Sequence, residues 1–175
     1  MVCWRRRTTS IGIHEEWPAL ALQQPETEMT REDWFAFGTQ QLRDSAKASK
    51  ADFNDVLAGF RGLSPYDHHE WYAGAKSIAN TLFWASDVAA RTGWLAEEDA
   101  GTPAYFAQKL AVYRSLAGSM ITDLEGFIEL YQQENDVKEP PELLSAVHRL
   151  AREFHRLTNG ILAKAPPELQ ARIPL

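Results

Sequence analysis

Histidine is the residue type in this sequence with the widest range of site chemistry, and five occur: His14, His68, His69, His148 and His155. His148 and His155 are seven residues apart in a segment of helical periodicity, which separates them by roughly 10 Å along the axis. A catalytic metal site needs three converging protein ligands and an open position. We therefore predict no metal cofactor, and keep one alternative, in which His68, His69, His148 and His155 supply ligands for zinc or nickel.

A second chemistry is phosphodiester cleavage, because Arg149 and His155 fit a loose Arg-x5-His pattern near the end of the chain. The arginine would hold a phosphate and the histidine would act as acid or base. The net charge of −6 argues against a nucleic-acid partner. A HEPN-like ribonuclease or toxin component is therefore a second alternative, and whether the chain catalyses any reaction stays open.

A third possibility is a pocket or interface without metal. Trp84 stands in the middle of the polar face of a helix, opposite a stripe that contains Ile78 and Leu82. Exposing an indole costs roughly 2–3 kcal/mol, so we predict that Trp84 is more than half buried. The residues predicted to line this pocket or interface are Trp71, Tyr72, Asn80, Trp84, Asp87, His148, Arg152 and His155.

Four amphipathic helices must position these residues. The first begins after the capping residue Thr30 and ends at Gly62 to Pro65. Its centre, residues 46–52, is small and polar, which predicts that another helix or a cavity approaches there. The second runs from about Trp71 to Arg91, with Gly93 as its C-cap.

The third helix starts at Thr102-Pro103 and the fourth at Pro140-Pro141. We expect the last turn of the fourth helix to fray or break at Asn159-Gly160. Leu150 and Phe154 are predicted core residues of its apolar stripe, which comprises Leu143, Val147, Leu150, Phe154, Leu157 and Ile161.

These elements predict an all-α, antiparallel four-helix bundle over residues 29–164. Residues 1–28 are expected to form a disordered N-terminal extension, with Met29 as a candidate translation start, and residues 165–175 an irregular C-terminal tail. Cys3 is the single cysteine, which suits a reducing, cytoplasmic setting. No apolar run approaches the roughly 20 residues of a membrane span, so no membrane partner is expected.

The run Gly62-Leu63-Ser64, a tryptophan-containing loop and the segment from Ser77 to Trp84 resemble the DinB/YfiT-like four-helix-bundle superfamily. The resemblance covers Met29 to about Lys164. It implies a bundle with a cavity between the helices and frequent homodimerisation. The family's metal-binding histidine in the second helix falls on Trp84 here, and an indole does not coordinate a metal. In the fourth helix the family's close pair of histidines before a glycine is reduced to His155.

The leading functional hypothesis is therefore a DinB-like bundle that binds a small molecule or a protein without metal catalysis. The alternative implied by the resemblance is a divergent metal-dependent thiol transferase or hydrolase that uses the bundle cavity. A homodimer and a small-molecule ligand are the expected partners.

Overall fold

The computed structural model describes residues 29–63, 70–90, 102–171 and 173, and within these ranges the chain is helical with no strand. The all-α prediction is confirmed. None of the helices in these ranges is long and apolar enough to cross a membrane. The predicted extension 1–28, the C-cap Gly93, and His68 and His69 lie outside the described residues. The helices are α1 Arg31–Gly62, α2 Glu70–Ala90, α3 Pro103–Asn135, α4 Glu142–Ala163 and α5 Pro167–Gln170.

Side-chain caps and a backbone turn determine where three of the helix ends lie. The Thr30 hydroxyl accepts a hydrogen bond from the Asp33 backbone N–H at 3.1 Å, and the Thr102 hydroxyl accepts one from Tyr105 at 3.2 Å. Each cap satisfies an N–H that has no partner inside the helix. α3 ends where Asp136 adopts the left-handed conformation, with φ of 50°. The predicted starts at Thr30 and Thr102 are confirmed.

Neighbouring helices run in opposite directions, because later residues of one contact earlier residues of the next. Between α1 and α2, the Phe53 ring lies 6.0 Å from Phe83, and the Phe60 ring lies 5.5 Å from Tyr72. The other adjacent pairs are also antiparallel, because an early residue of one helix contacts a late residue of the other, as in Trp71–Tyr131, His148–Glu125 and Leu143–Gly59.

Differences in helix length divide the core into two clusters. α2 and α4 have 21 and 22 residues, whereas α1 and α3 have 32 and 33. The central cluster contains buried residues of all four long helices. The second cluster lies where α1 and α3 begin, beyond the reach of α2, and the end of α4 and α5 cover it. Its large buried side chains are Trp34, Leu42, Phe106, Leu110, Ile161, Leu162 and Leu169.

The predicted break at Asn159-Gly160 is wrong, because α4 continues to Ala163. Ile161 and Leu162 are buried in the second cluster, at 2% and 4% exposure. The Trp34 indole N–H donates a hydrogen bond to the Ile161 carbonyl at 2.8 Å. The Ile161 carbonyl, which also accepts from the Lys164 N–H, thus gains a tertiary partner in the last turn. Tertiary packing outweighs the low helix propensity of the Asn-Gly pair.

The segment after α4 is packed, whereas we expected an irregular tail. Ala165 and Leu169 are 4% and 1% exposed. On the surface, the Arg31 guanidinium donates to Glu168 at 2.7 Å, and this hydrogen bond lowers the pKa of the Glu168 carboxyl. A lowered folded-state pKa favours folding above the carboxyl's ordinary pKa, and this contribution is lost as the pH falls through the lowered value. The start of α1 and the end of the chain are therefore joined by packing and by charge.

The stripe predicted for α4 is largely correct. Val147, Leu150, Phe154 and Ile161 are buried, as predicted. Leu143 and Leu157 are only half-buried. Their places in the core are taken by residues one position along the helix, Leu144 and Thr158, both 0% exposed.

Phe154 tests this packing, because its ring lies 6.1 Å from Tyr113 and the residue is 6% exposed. Phe154→Ala should lower the free energy of unfolding by roughly 3–5 kcal/mol, through lost burial and the cavity left behind. The control Val112→Ala, at a residue 60% exposed, should change it by less than about 0.5 kcal/mol. Urea unfolding followed by circular dichroism measures both. Similar losses in the two variants would contradict this assignment of the core.

Candidate functional site

The residues predicted to form one pocket are spread over several parts of the bundle. Trp71 and Tyr72 belong to the central core, at 2% and 7% exposure. The Tyr72 hydroxyl donates to the Phe60 carbonyl at 2.6 Å, and the Trp71 ring lies 5.7 Å from Tyr131. These two aromatic residues therefore hold α2 against α1 and α3 and line none of the three cavities described below.

The prediction that Trp84 is more than half buried is wrong, since the residue is 60% exposed. α2 contacts α1 through Phe83 and α3 through Gly74. At 100° per residue, Trp84 points away from both neighbours. Its ring lies 5.8 Å from the adjacent Phe83 ring. The cost of exposing one indole is small against the constraints of packing a whole helix, and folded surfaces carry much apolar area.

Asn80 and Asp87 share the outer half of α2 with Trp84, and both are half-buried. Asp87 lines a cavity of 280 Å³ between α1 and α2, whose walls also contain Ala46 and Lys47. The predicted approach of a cavity to the small, polar centre of α1 is therefore confirmed.

The helix-four residues face two different directions. His155 and Arg152 line a cleft of 460 Å³ between α3 and α4, together with Ile121. His148 contacts Glu125 of α3, with 3.3 Å between Nε2 and Oε1. Arg149 lies instead on the α1 side of α4. The structure therefore does not bring Arg149 and His155 together, and the cleavage chemistry that needs both receives no geometric support.

The largest cavity we describe is a groove of 540 Å³ between α1 and α4. We refer to it as the α1–α4 groove. Residues at helical spacing face each other across it, from one stretch of α1 and from nearly three turns of α4. The lining residues are Asp52, Asp55, Val56, Glu142, Leu143, Ala146, Arg149, Leu150 and Glu153.

The floor of the α1–α4 groove is apolar. Val56 and Leu150 are buried, at 5% and 7% exposure, and form its base. Leu143 and Ala146 are half-buried and expose apolar surface inside it. Leu143 also lies over Gly59, where an added Cβ would come within 3.0 Å of a Leu143 methyl carbon. The small residue thus lets α4 approach α1 at this end of the groove.

The rim of the α1–α4 groove is acidic. Four carboxylates surround one guanidinium, and that guanidinium, of Arg149, already contacts Glu142 at 2.8 Å. Asp52, Asp55 and Glu153 form no ion pair with any residue in the described ranges. An apolar floor with unpaired negative charges above it suits a ligand that is both apolar and cationic.

Sequence reasoning did not predict this groove. The signal was present in part, since Asp52 and Asp55 are three residues apart and Glu142, Arg149 and Glu153 share one face of α4. Charges at such spacing occur on many solvated helix faces. Only the pairing of α1 with α4 shows that these two faces meet.

Comparison with protein-family models, with curated proteins and with solved structures gives no match for this chain. The resemblance to DinB-like bundles therefore stays a proposal, and the functional argument depends on the chain's own residues.

The metal alternative has a direct test. Among the described residues no group of three His, Cys, Asp or Glu side chains is placed to hold an ion, and His68 and His69 lie outside them. We expect purified, untagged protein to contain zinc and nickel at background, before and after His148→Gln combined with His155→Gln. Elemental analysis by mass spectrometry measures this. About one ion per chain that is lost in the double variant would contradict it.

Proposed function

We propose that this chain is a protein-binding helical bundle whose α1–α4 groove holds a basic, amphipathic segment of a partner protein. The observation that carries the proposal is the acidic rim above an apolar floor. Amphipathic helices bind in such grooves by placing apolar side chains on the floor and charged ones at the rim. A single cysteine suits a reducing compartment, and we propose a cytoplasmic location.

The dimensions of the groove favour a peptide segment over a compact small molecule. Its α4 lining runs from Glu142 to Glu153, which spans roughly 16 Å, or about three helical turns. Leu143, Ala146 and Leu150 follow each other at three- and four-residue steps along this length. A partner helix presents apolar side chains with the same periodicity, so the two apolar faces match along the groove.

The negative charges of the rim would favour basic partner helices over acidic ones. Lysine and arginine side chains beside an apolar stripe would face Asp52, Asp55 and Glu153. Pairs of this kind contribute modestly to affinity and more to selectivity and association rate. An acidic amphipathic helix would meet like charges at the same positions, which is unfavourable.

The test uses fluorescence anisotropy with two labelled helical probe peptides of about 14 residues, one built from leucine and lysine and the other from leucine and glutamate. We expect saturable binding of the leucine–lysine peptide, weakened by salt, and no binding of the leucine–glutamate peptide. Asp55→Asn with Glu153→Gln removes two rim charges. At roughly 0.2–1 kcal/mol per exposed pair, this should weaken binding about 2- to 30-fold.

Asp123→Asn with Glu129→Gln is the matched control, because it removes two exposed carboxylates of α3, away from the groove. The control should keep its affinity within about twofold. Equal weakening in the two double variants would mean that the peptide responds only to the overall negative charge, and the proposal would fail. Tight binding of a small cationic amphiphile with none of the leucine–lysine peptide would also contradict it.

We also propose that the chain forms a homodimer through the surface around Trp84. The supporting observation is the 60% exposure of this indole, with half-buried Val88 one turn further along α2. Tryptophan is enriched in interfaces and among the residues that dominate their energetics. A second copy of α2 would cover an apolar side chain that the chain's own α1 and α3 leave exposed.

Sedimentation equilibrium between about 1 and 100 µM tests this dimer. We expect Trp84→Ala to raise the dimer dissociation constant at least tenfold, since hot-spot truncation costs roughly 2 kcal/mol or more. The control Val137→Ala changes another exposed apolar residue, 41% exposed and beyond α3, and should leave the constant unchanged. A monomer at all concentrations would refute the dimer and would not affect the proposal for the groove.

A further inference from the structure

The cavity between α1 and α2 has a different chemistry from the α1–α4 groove. Its volume is 280 Å³, and its apolar wall contains Ala46, Phe53 and Phe83. The two phenylalanine rings meet edge to face with 6.0 Å between their centroids. Such a wall suits one small apolar or aromatic group.

Three cations lie along the α1 side of this cavity: Arg43, Lys47 and Lys50. Steps of four and three residues place them on one face of the helix. None of the three forms an ion pair with a residue in the part of the chain that the structure describes. Asp87 is the acidic residue of the described lining. The described part of the lining therefore carries a net charge of about +2, in a chain whose net charge is −6.

Ser86 supplies a second, independent observation. It is 9% exposed and lines the same cavity. Among the described residues two other polar side chains are buried, and both are satisfied, because Thr39 donates to the Phe35 carbonyl and Thr158 donates to the Phe154 carbonyl. The Ser86 hydroxyl makes no hydrogen bond to any residue within the described ranges. A buried hydroxyl without a partner is costly, and native structures hold few of them.

We propose that the α1–α2 cavity binds a small organic phosphate. The phosphate would lie among Arg43, Lys47 and Lys50, and the Ser86 hydroxyl would donate to one of its oxygens. A phosphate monoester carries a charge of about −1.5 to −2 at pH 7 and offers several strong acceptor oxygens. This matches the net charge of the lining and its unpaired donors better than a carboxylate does. The organic part would pack against Phe53 and Phe83.

This site is separate from the α1–α4 groove, so either proposal stands if the other fails. Isothermal titration calorimetry at low ionic strength and pH 7.5 tests it with three probes, namely phenyl phosphate, inorganic phosphate and phenol. We expect saturable binding of phenyl phosphate, weaker binding of inorganic phosphate, which lacks the aromatic group, and no binding of phenol. Tighter binding of phenol than of phenyl phosphate would overturn the proposal, as would no saturable phosphate binding up to about 10 mM.

Two substitutions should each weaken phenyl phosphate binding about tenfold: Ser86→Ala, which removes a hydrogen bond to a charged group, and Lys47→Gln, which removes a positive charge. Their matched controls are Ser115→Ala and Lys138→Gln, at exposed positions outside the cavity, which should keep the affinity within about twofold. Equal weakening in variants and controls would show non-specific attraction and refute the site.

Ser86→Ala also separates binding from folding. The substitution replaces the hydroxyl by a hydrogen atom, which removes the cost of burying a polar group without a protein partner. Without ligand, the variant should therefore have a melting temperature equal to or above that of the unsubstituted protein. Phenyl phosphate should then raise its melting temperature less than it raises that of the unsubstituted protein. A variant that binds phenyl phosphate as tightly as the unsubstituted protein would remove Ser86 from the site and overturn the proposal.

Discussion

The hydrogen bond from the Trp34 indole to the Ile161 carbonyl is the constraint on which the arrangement of α1 and α4 depends. Trp34 is 0% exposed, so its N–H must find a partner inside the protein. The partner is a carbonyl of the last turn of α4, at 2.8 Å. This bond, together with the packing of Trp34, Phe106 and Ile161 in the second cluster, holds the start of α1 beside the end of α4.

The same bond sets the register that builds the α1–α4 groove. In an antiparallel pair, moving along α1 from Trp34 to Asp52 corresponds to moving back along α4 from Ile161 to Leu143. Both steps are 18 residues, or roughly 27 Å. Asp52 and Leu143 do line the same groove. A different pairing of the two helices would place other α1 residues beside the apolar floor. Asp52 and Asp55 would then no longer form part of the acidic rim.

The α1–α2 cavity lies beside the middle of α1, where the helix buries no side chain, whereas the α1–α4 groove begins where this stretch ends. The buried residues of α1 stop at Leu42 and resume at Phe53. The ten residues between them carry cations towards α2 and, at Asp52, the first carboxylate towards α4. The cations of α1 that line the α1–α2 cavity lie roughly 140° around the helix axis from Asp52 and Asp55. On α1, positive charges thus face the cavity beside α2, and negative charges face the groove beside α4.

Sequence reasoning predicted local features well because their causes are local. The Thr30 and Thr102 caps depend on residues within one turn, and the core positions Leu150 and Phe154 follow from periodicity along α4. It also predicted a cavity at the centre of α1, because small and polar residues leave space there. Trp84 could not be placed in this way, since its exposure depends on the positions of α1 and α3 around α2.

The α1–α4 groove and the unpaired Ser86 hydroxyl are non-local in the same sense. Asp55 and Glu153 are 98 residues apart in the sequence, and nothing near either residue indicates the other. Ser86 has an ordinary sequence context, and a serine within a helix usually bonds the carbonyl four residues earlier or faces water. Here the helix buries Ser86 beside a stretch of α1 that fills no core, and its hydroxyl bonds no residue within the described ranges. In the α1–α2 cavity, the unanchored middle of α1 therefore leaves both the space and the polar groups that a ligand would use.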